Sequence, residues 1–240
     1  MLLNAGTRRG ADAGEGLLGT YRLLPVVTSD DRRKAFRLRY QVYCVEKKYE
    51  ACDEALGMES DPFDERSVHT LLVDAQENAV GNVRLILPNY TQLDQSFPIQ
   101  KICSHRMVHD RQFIFSGAAE VSRFAISKSL GEKGQQGAPA LPVLSLGLMR
   151  GVVRMSREHG VDELLAVMEP ALIRLLSRCS IHFSPIGPLV DYHGMRQPCH
   201  ANLTRLLQRT ETESPAVWAF ITDNGKYANH SPSPLLANYC

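Results

Sequence analysis

The stretch Glu120-Val121-Ser122-Arg123-Phe124 lies in an extended segment, residues 119–127, and reads as part of a central strand. Strict alternation sends Glu120 and Arg123 to opposite faces of such a strand. A bulge between them would turn both toward one pocket. A carboxylate placed there can take the proton of an ammonium, directly or through water, and burial would raise its pKa and make it a better base. Backbone N–H groups at a break in the strand can hold an oxyanion. The other reading of Glu120 and Arg123 is a structural ion-pair network.

Residues 68–74 and 80–87 read as two strands joined by a turn at Gln76-Glu77-Asn78, with Pro88 ending the second. Residues 21–27 read as a first strand. A helix follows from an N-cap at Thr28 or Ser29 to about Lys48, with Asp30 and Asp31 in its first turn and Phe36, Tyr40 and Tyr43 at helical spacing. Residues 51–64 form a loop with Gly57 and Pro62. Residues 89–111 are irregular, with a short helix near 99–103, and residues 113–115 look extended. Residues 129–139 hold four Gly or Pro and read as a flexible loop. A strong helix spans 143–159, with Leu144, Leu148, Val152 and Met155 on one side and Gly160 as its stop. A buried strand at 164–168 and a helix at 170–179 come next, the helix with Pro170 at its start. Two further strands, 181–184 and 217–222, flank a helix at 198–209. This order suits an α/β fold, a mixed sheet with helices on both faces. The organisation is a disordered segment 1–19, one domain 20–224 and a loose tail 225–240.

A chain of 240 residues can bury roughly 70–75% of its unfolded surface, enough for a sizeable core. Apolar residues make up 44% and charged residues 22%, and the net charge of +1 gives no global field toward nucleic acid or membrane. The longest apolar run, residues 140–149, is too short to span a bilayer, so no stable membrane insertion is expected. The first residues lack the apolar run of a signal peptide. None of the six cysteines has the two-residue spacing of a zinc or redox motif. They read as reduced thiols, and the chain as cytoplasmic. His193, Cys199 and His200 match no zinc spacing, so no metal is expected. The glycines between 131 and 137 lack the register of a nucleotide-binding loop. Arg32, Arg33, Lys34, Arg37 and Arg39 cluster, followed by Lys47 and Lys48. The run is either a solvated helix face or a docking patch for an acidic partner.

Two more groups carry chemistry. Arg39, Tyr43 and Tyr49 lie around the end of the first helix. Glu59-Ser60-Asp61-Pro62-Phe63-Asp64 follows in the loop, and Arg84 stands in Gly81-Asn82-Val83-Arg84-Leu85. An Arg four residues before an aromatic, a second aromatic six later, a Glu-x-Asp-x-x-Asp loop, a Gly-x-x-Arg-Leu strand and a Glu-x-Ser-Arg-Phe strand appear in that order. In this the chain resembles the acyl-homoserine-lactone synthases and, more closely, the N-acyl amino acid synthases, both of the GNAT superfamily. The resemblance covers roughly residues 21–220. Tyr43 and Tyr49 stand where the lactone synthases usually carry Phe and Trp, and the loop at 129–139 is long for them. These departures point away from S-adenosylmethionine as amine donor and toward acyltransferases associated with exosortase protein-sorting systems. The Arg/Gln-x-x-Gly-x-Gly/Ala segment that cradles coenzyme A is missing, which favours a protein carrier.

The resemblance implies a GNAT fold and an N-acyltransferase. It would move a long-chain fatty acyl group from acyl carrier protein, less readily from acyl-CoA, to the amine of an amino acid or similar small molecule, without a further cofactor. It places Glu120, Ser122 and Arg123 in catalysis, and Arg39, Tyr43, Tyr49, Asp61, Asp64, Arg84 and Phe124 in substrate binding. A break in the central strand would admit the pantetheine arm. Arg32, Arg33 and Arg37 would dock the acidic carrier. Several roles stay open. Asp61 and Asp64 either clamp Arg84 and order residues 51–64 as a lid, or touch the amine. Tyr43 and Tyr49 pack the core or line the pocket. Arg39 anchors the first helix to the acidic loop or meets a carrier phosphate. Two alternatives remain: a homoserine-lactone synthase using S-adenosylmethionine, and a silent GNAT domain that only binds acyl carriers or a sorting-system partner.

Overall fold

The structure, a computed structural model, describes residues 18, 19, 21–49, 54–128 and 141–229. Its strands are β1 (Arg22–Pro25), β2 (Ser67–Val73), β3 (Ala79–Ile86), β4 (Ala118–Ile126), β5 (Glu163–Met168), β6 (Ser184–Pro185), β7 (Val190–Asp191) and β8 (Met195–Asn202). They are ordered β1-β2-β3-β4-β5-β8-β6, with β7 paired to β8. Neighbours from β1 to β4 are antiparallel, β4 and β5 are parallel, and β8 is antiparallel to β5. The sheet is mixed, as the order of elements suggested. A parallel pair needs a long crossover, and α3 (Leu141–Glu158) lies in the one between β4 and β5.

Both faces of the sheet are covered, so β2 and β3 are buried along nearly their whole length. On one face Leu71, Val73 and Ala125 pack under Ala35, Leu38 and Val42 of the first helix, α1 (Ser29–Tyr40), and the π-helical turn that continues it, Gln41–Glu46. Farther along the same face Ile86 and Ala118 meet Ile99 and Val108 of the 87–115 segment. On the opposite face Leu72, Val83, Leu85, Ala119 and Val121 meet Leu144, Leu148 and Val152 of α3. Alternation along β4 therefore puts Glu120 and Ser122 on the α1 face, between Ala118 and Ala125. Gly151 lets α3 approach closely: a Cβ there would stand 2.9 Å from Thr70 Cγ2.

Several expectations change. Residues 198–209 do not form one helix. Met195–Asn202 is β8, held antiparallel to β5, and only then does α5 (Leu203–Glu213) begin, with the Asn202 side chain accepting from Arg205 N at 3.0 Å. Pairing with a central strand has overridden local preference. Residues 217–222 are not a strand but part of α6 (Pro215–Ile221), where Pro215 sits in the first turn. A short apolar run does not by itself separate strand from helix. The expected strand at 181–184 shrinks to β6. Residues 113–115 belong to α2 (Arg111–Phe115), because the Asp110 carboxylate accepts from Gln112 N at 2.8 Å and starts a helical turn. The helix at 170–179 stands as α4 (Pro170–Arg178).

Leu18, inside the segment expected to be disordered, is buried in the main core. At the other end the Tyr227 ring packs on that core, and the carbonyls of Tyr227 and Ala228 accept from Arg157. The tail expected to be loose from Gly225 thus begins with residues fixed to the body. The rest of both terminal segments, and the loop at 129–139, lie outside the described residues. Not every cysteine is reduced. Cys44 is disulfide-bonded, while Cys103, Cys179 and Cys199 are free. Sequence spacing speaks to metal and redox motifs, whereas a disulfide needs only that the fold bring two Cα atoms within reach. Cysteine usage then assigns no compartment. No helix among the described residues is long and apolar enough to cross a membrane.

Candidate active site

β4 runs in regular register with β3 through Glu120↔Ile86, Val121↔Leu85 and Ser122↔Arg84, and the next pair is Ala125↔Asn82. Arg123 and Phe124 together therefore oppose Val83 alone, which is a β-bulge. Arg123 carries the left-handed conformation this requires, with φ of +49°. Asn82 Nδ2 donates to the Arg123 carbonyl at 3.1 Å and pins it. The bulge lies at Arg123 itself, just past the interval where alternation had called for it. On the other side, pairing of β4 with β5 ends at Val121↔Ala166, and the two strands part beyond that point.

A cavity of about 1000 Å³ opens at the parting, walled by residues 121–128 and 166–169. On the α1 face it is lined by Tyr43, Asp61, Phe63, Arg84, Glu120 and Ser122. On the opposite face Leu144, Met149, Leu172, Leu175, Leu176 and Phe183 line it. It therefore passes through the sheet, polar at one end and apolar at the other. Phe124, expected at the substrate, lines this cavity and also packs on the main core.

Beside the bulge, three carboxylates and three guanidiniums interlock. Arg39 Nε donates to Glu59 Oε2 at 2.5 Å and Nη1 to Asp64 Oδ1 at 2.6 Å. Arg84 Nη1 donates to Asp61 and Asp64, each at 2.7 Å. Arg123 Nη2 donates to Glu59 at 2.8 Å and to Asp61 at 3.0 Å. The charges balance, which buried ions require. Local chemistry positions the loop: Asp61 caps the 3-10 turn Pro62–Arg66 and forms a capping box with Asp64, and Glu59 N donates to the Phe36 carbonyl at 3.0 Å. Burial pushes the Glu59 carboxyl upward, but Arg39 and Arg123 outweigh it and bring it to about 2. Asp64 is likewise pushed up by burial and then held far below the usual carboxylate range by Arg39 and Arg84.

Arg39 is 0% exposed and Asp64 5% exposed, and neither lines the cavity. Their ion pair fastens α1 to the acidic loop. Asp61, Arg84 and Arg123 are held in the same network yet do reach the cavity. Ser122 Oγ accepts from Arg84 Nε at 2.9 Å.

Glu120 stands outside the network. It is 2% exposed, and its Oε2 accepts from the Ile99 N–H at 2.9 Å. Burial lifts its pKa to about 7, while that hydrogen bond and the charges of Arg84 and Arg123 draw it partly back. The ion-pair reading holds for Arg123, through Glu59 and Asp61, and not for Glu120. Tyr43 and Tyr49 both line the cavity, Tyr43 with Arg123 Cζ 5.3 Å from its ring centre.

Sequence reasoning missed the rim on the α1 face. Lys47 Nζ lies 2.6 Å from Glu169 Oε1, and Arg196 Nη2 lies 3.4 Å from the same oxygen. The centre of the Tyr49 ring lies 5.3 Å from Lys47 Nζ and 5.0 Å from Arg196 Cζ. These residues come from three separate elements, so no local motif announces them. The Ile99 N–H was equally hidden, inside an irregular segment. His193 and His200 are occupied apart from one another: His193 Nδ1 lies 3.0 Å from the Tyr49 carbonyl and His200 Nε2 lies 2.6 Å from Glu163. Among the described residues no group of three or more His, Cys, Asp or Glu is placed to hold a metal.

Residues 38–134 match the acetyltransferase (GNAT) domain. An acyl-homoserine-lactone synthase of Rhizobium radiobacter is 27% identical over 159 residues, which cover 65% of this chain and 70% of that one. Among solved structures, TofI bound to an inhibitor and MTA superposes with a TM-score of 0.61 at 19% identity, over 82% of this chain and 99% of TofI. FeeM, an N-acyl amino acid synthase from uncultured soil microbes, gives 0.59 at 18% identity, over 79% and 93%. BjaI, a CoA-dependent acyl-homoserine lactone synthase bound to MTA, gives 0.57 at 19% identity, over 81% and 91%. At these identities the structures speak for the shared fold. With the domain match and the lactone-synthase relative beside that fold, residues 38–134 are a GNAT-type acetyltransferase domain in a chain similar in sequence to an acyl-homoserine-lactone synthase.

Proposed function

We propose that the chain is an N-acyltransferase that moves a long-chain fatty acyl group from acyl carrier protein to the amine of an amino acid or similar small molecule. One observation carries this reading: a carboxyl with a pKa of about 7, Glu120, is buried at the point where a cavity passes through the sheet from a polar to an apolar half. A carboxyl tuned to neutral pH suits a general base. The apolar half suits an alkyl chain, and the cavity is at the upper end of the roughly 300–1,000 Å³ of small-molecule pockets.

In the proposed reaction the ammonium of the acceptor gives its proton to Glu120. The freed nitrogen attacks the thioester carbonyl, the C–N bond forms, and the oxygen becomes an oxyanion. Backbone N–H groups of β4 beyond Val121, where β5 no longer pairs with it, are available to receive that charge. Collapse breaks the C–S bond, and the thiolate leaves on its carrier and takes up the remaining surplus proton of the nitrogen as the neutral amide forms. Ser122 orients Arg84. Arg123 shapes the bulge and ties it to Asp61. Arg32, Arg33 and Arg37 lie exposed on α1 and would dock the acidic carrier. No cofactor is needed beyond the donor thioester.

The lactone-synthase relative favours a second reading, with S-adenosylmethionine as the amine. Incubating the chain with acyl carrier protein or acyl-CoA, and with either free amino acids or S-adenosylmethionine, separates the readings by product mass. N-acyl amino acids support the proposal. A lactone with S-adenosylmethionine, and no amide with amino acids, replaces it.

A further inference from the structure

The two ends of the α1-face half of the cavity differ in charge. Inside, Arg39, Arg84 and Arg123 are matched by Glu59, Asp61 and Asp64. Among the described residues, Lys47, Lys128 and Arg196 line the rim of the cavity with the Glu169 carboxylate, and the Glu46 carboxylate accepts from the Lys128 N–H at 3.1 Å. Lys47, just after the π-turn, and Arg196, from β8, approach the Glu169 carboxylate together, and their heads also lie 5.3 and 5.0 Å from the centre of the Tyr49 ring. The side chain of Glu169 performs no capping of α4, although it precedes that helix. Glu169 is thus a counter-ion that two cations share, and among the described residues the rim keeps a surplus of positive charge at an opening that leads to Glu120.

We propose that Lys47 and Arg196 bind an anionic group of the acceptor, so that the amines this enzyme acylates are those that also carry a carboxylate. This rests on the reading of the chain as an N-acyltransferase, and it adds the recognition element that such a reading lacks. The amine goes inward toward Glu120 and Asp61. The carboxylate stays at the rim and displaces Glu169 from part of its hold on the two cations. The same surplus of charge disfavours a sulfonium-bearing acceptor.

The experiment uses the full chain, an N-acetylcysteamine thioester of a long-chain fatty acid as donor, and amino acids paired with their carboxamides. Binding of each acceptor is read by calorimetry, apart from turnover. The wild type is expected to bind the acids at least ten-fold more tightly than the amides. Lys47→Ala with Arg196→Ala is expected to remove that preference, raising KM for acids at least ten-fold more than KM for amides. Glu169→Gln is expected to lower KM for acids several-fold, which loss of a purely structural ion pair would not do. Equal binding of acids and amides by the wild type, or a preference that survives the double variant, overturns the proposal. Tight, Lys47- and Arg196-dependent binding of acids without acyl transfer supports the rim assignment and instead counts against the N-acyltransferase reading.

Discussion

Ser122 Oγ accepts a hydrogen bond from Arg84 Nε at 2.9 Å, across the last regular β3–β4 pair before the bulge. That bond aims a fully buried guanidinium so that its Nη1 meets Asp61 and Asp64. The strand that carries the base and the loop that carries the acids are thereby one rigid unit. Ser122→Ala leaves a buried donor unmet, which costs about 1–3 kcal/mol. Thermal unfolding should shift down by roughly 2–10 °C for a domain of this size, with kcat/KM for the acceptor reduced. A variant that matches the wild type in both would remove Ser122 from the site.

Glu120→Gln should keep the fold and lower turnover by roughly 100-fold or more, the scale of general-base loss. In the wild type, kcat/KM should rise with pH through about 7 as this carboxyl ionises, and the variant should lack that limb. Stability runs the opposite way. The folded pKa is raised from 4.5 to about 7, so the contribution of this group is fully present below 4.5 and is lost as pH rises through 7. Above pH 7 the Gln variant should therefore be the more stable protein, by up to about 3 kcal/mol. Denaturant midpoints at pH 4 and pH 8 check the sign.

Asp64→Asn removes one of the two carboxylates that Arg39 and Arg84 each meet and leaves the buried cluster one negative charge short, a loss of up to about 3–5 kcal/mol. The acidic loop should loosen, water should gain access to the thioester, and acyl hydrolysis should increase relative to amide formation. Hydrogen exchange over residues 54–64, with and without acyl carrier protein, measures the first effect, and product ratios the second. A loop equally protected in both states, with an unchanged hydrolysis ratio, would make these acids fixed scaffold and end the idea of a lid. Glu59 sets the acid limit: its stabilisation is present above 4.5 and lost as pH falls through about 2.

Charge reversal at the exposed Arg32 and Arg33 should raise KM for acyl carrier protein and leave KM for a small thioester unchanged. The effect should weaken with salt, since the screening length is about 8 Å at physiological strength. Equal changes with both donors would exclude carrier docking at this face.

β3 and β4, which bear motif residues, were legible as extended runs bounded by turns, although β4 has only Val121, Phe124 and Ile126 as strong β-formers. The bulge followed from the three-residue interval between Glu120 and Arg123, which no flat strand reconciles. The role of Arg39 stays open in the sequence, which shows that an Arg and two acids belong together without showing which of them faces the opening. β8 was hidden for a different reason. Residues 197–202 owe their extended form to β5, which stands thirty residues earlier in the chain. The rim of Lys47, Glu169 and Arg196 depends on the same long-range placement, and no spacing rule reaches across it.

The parting of β4 and β5 has a kinetic consequence. A passage that pierces a sheet gives each substrate its own doorway, so acceptor and donor do not block one another and both are bound when the bond forms. Initial-rate plots against either substrate should intersect to the left of the axis instead of running parallel, and no acylated enzyme should accumulate when the amine is withheld. In the proposed reaction the finished amide would straddle the sheet, its tail on one face and its head on the other. Its withdrawal through the gap is then a candidate for the slowest step, one that lengthens with the acyl chain.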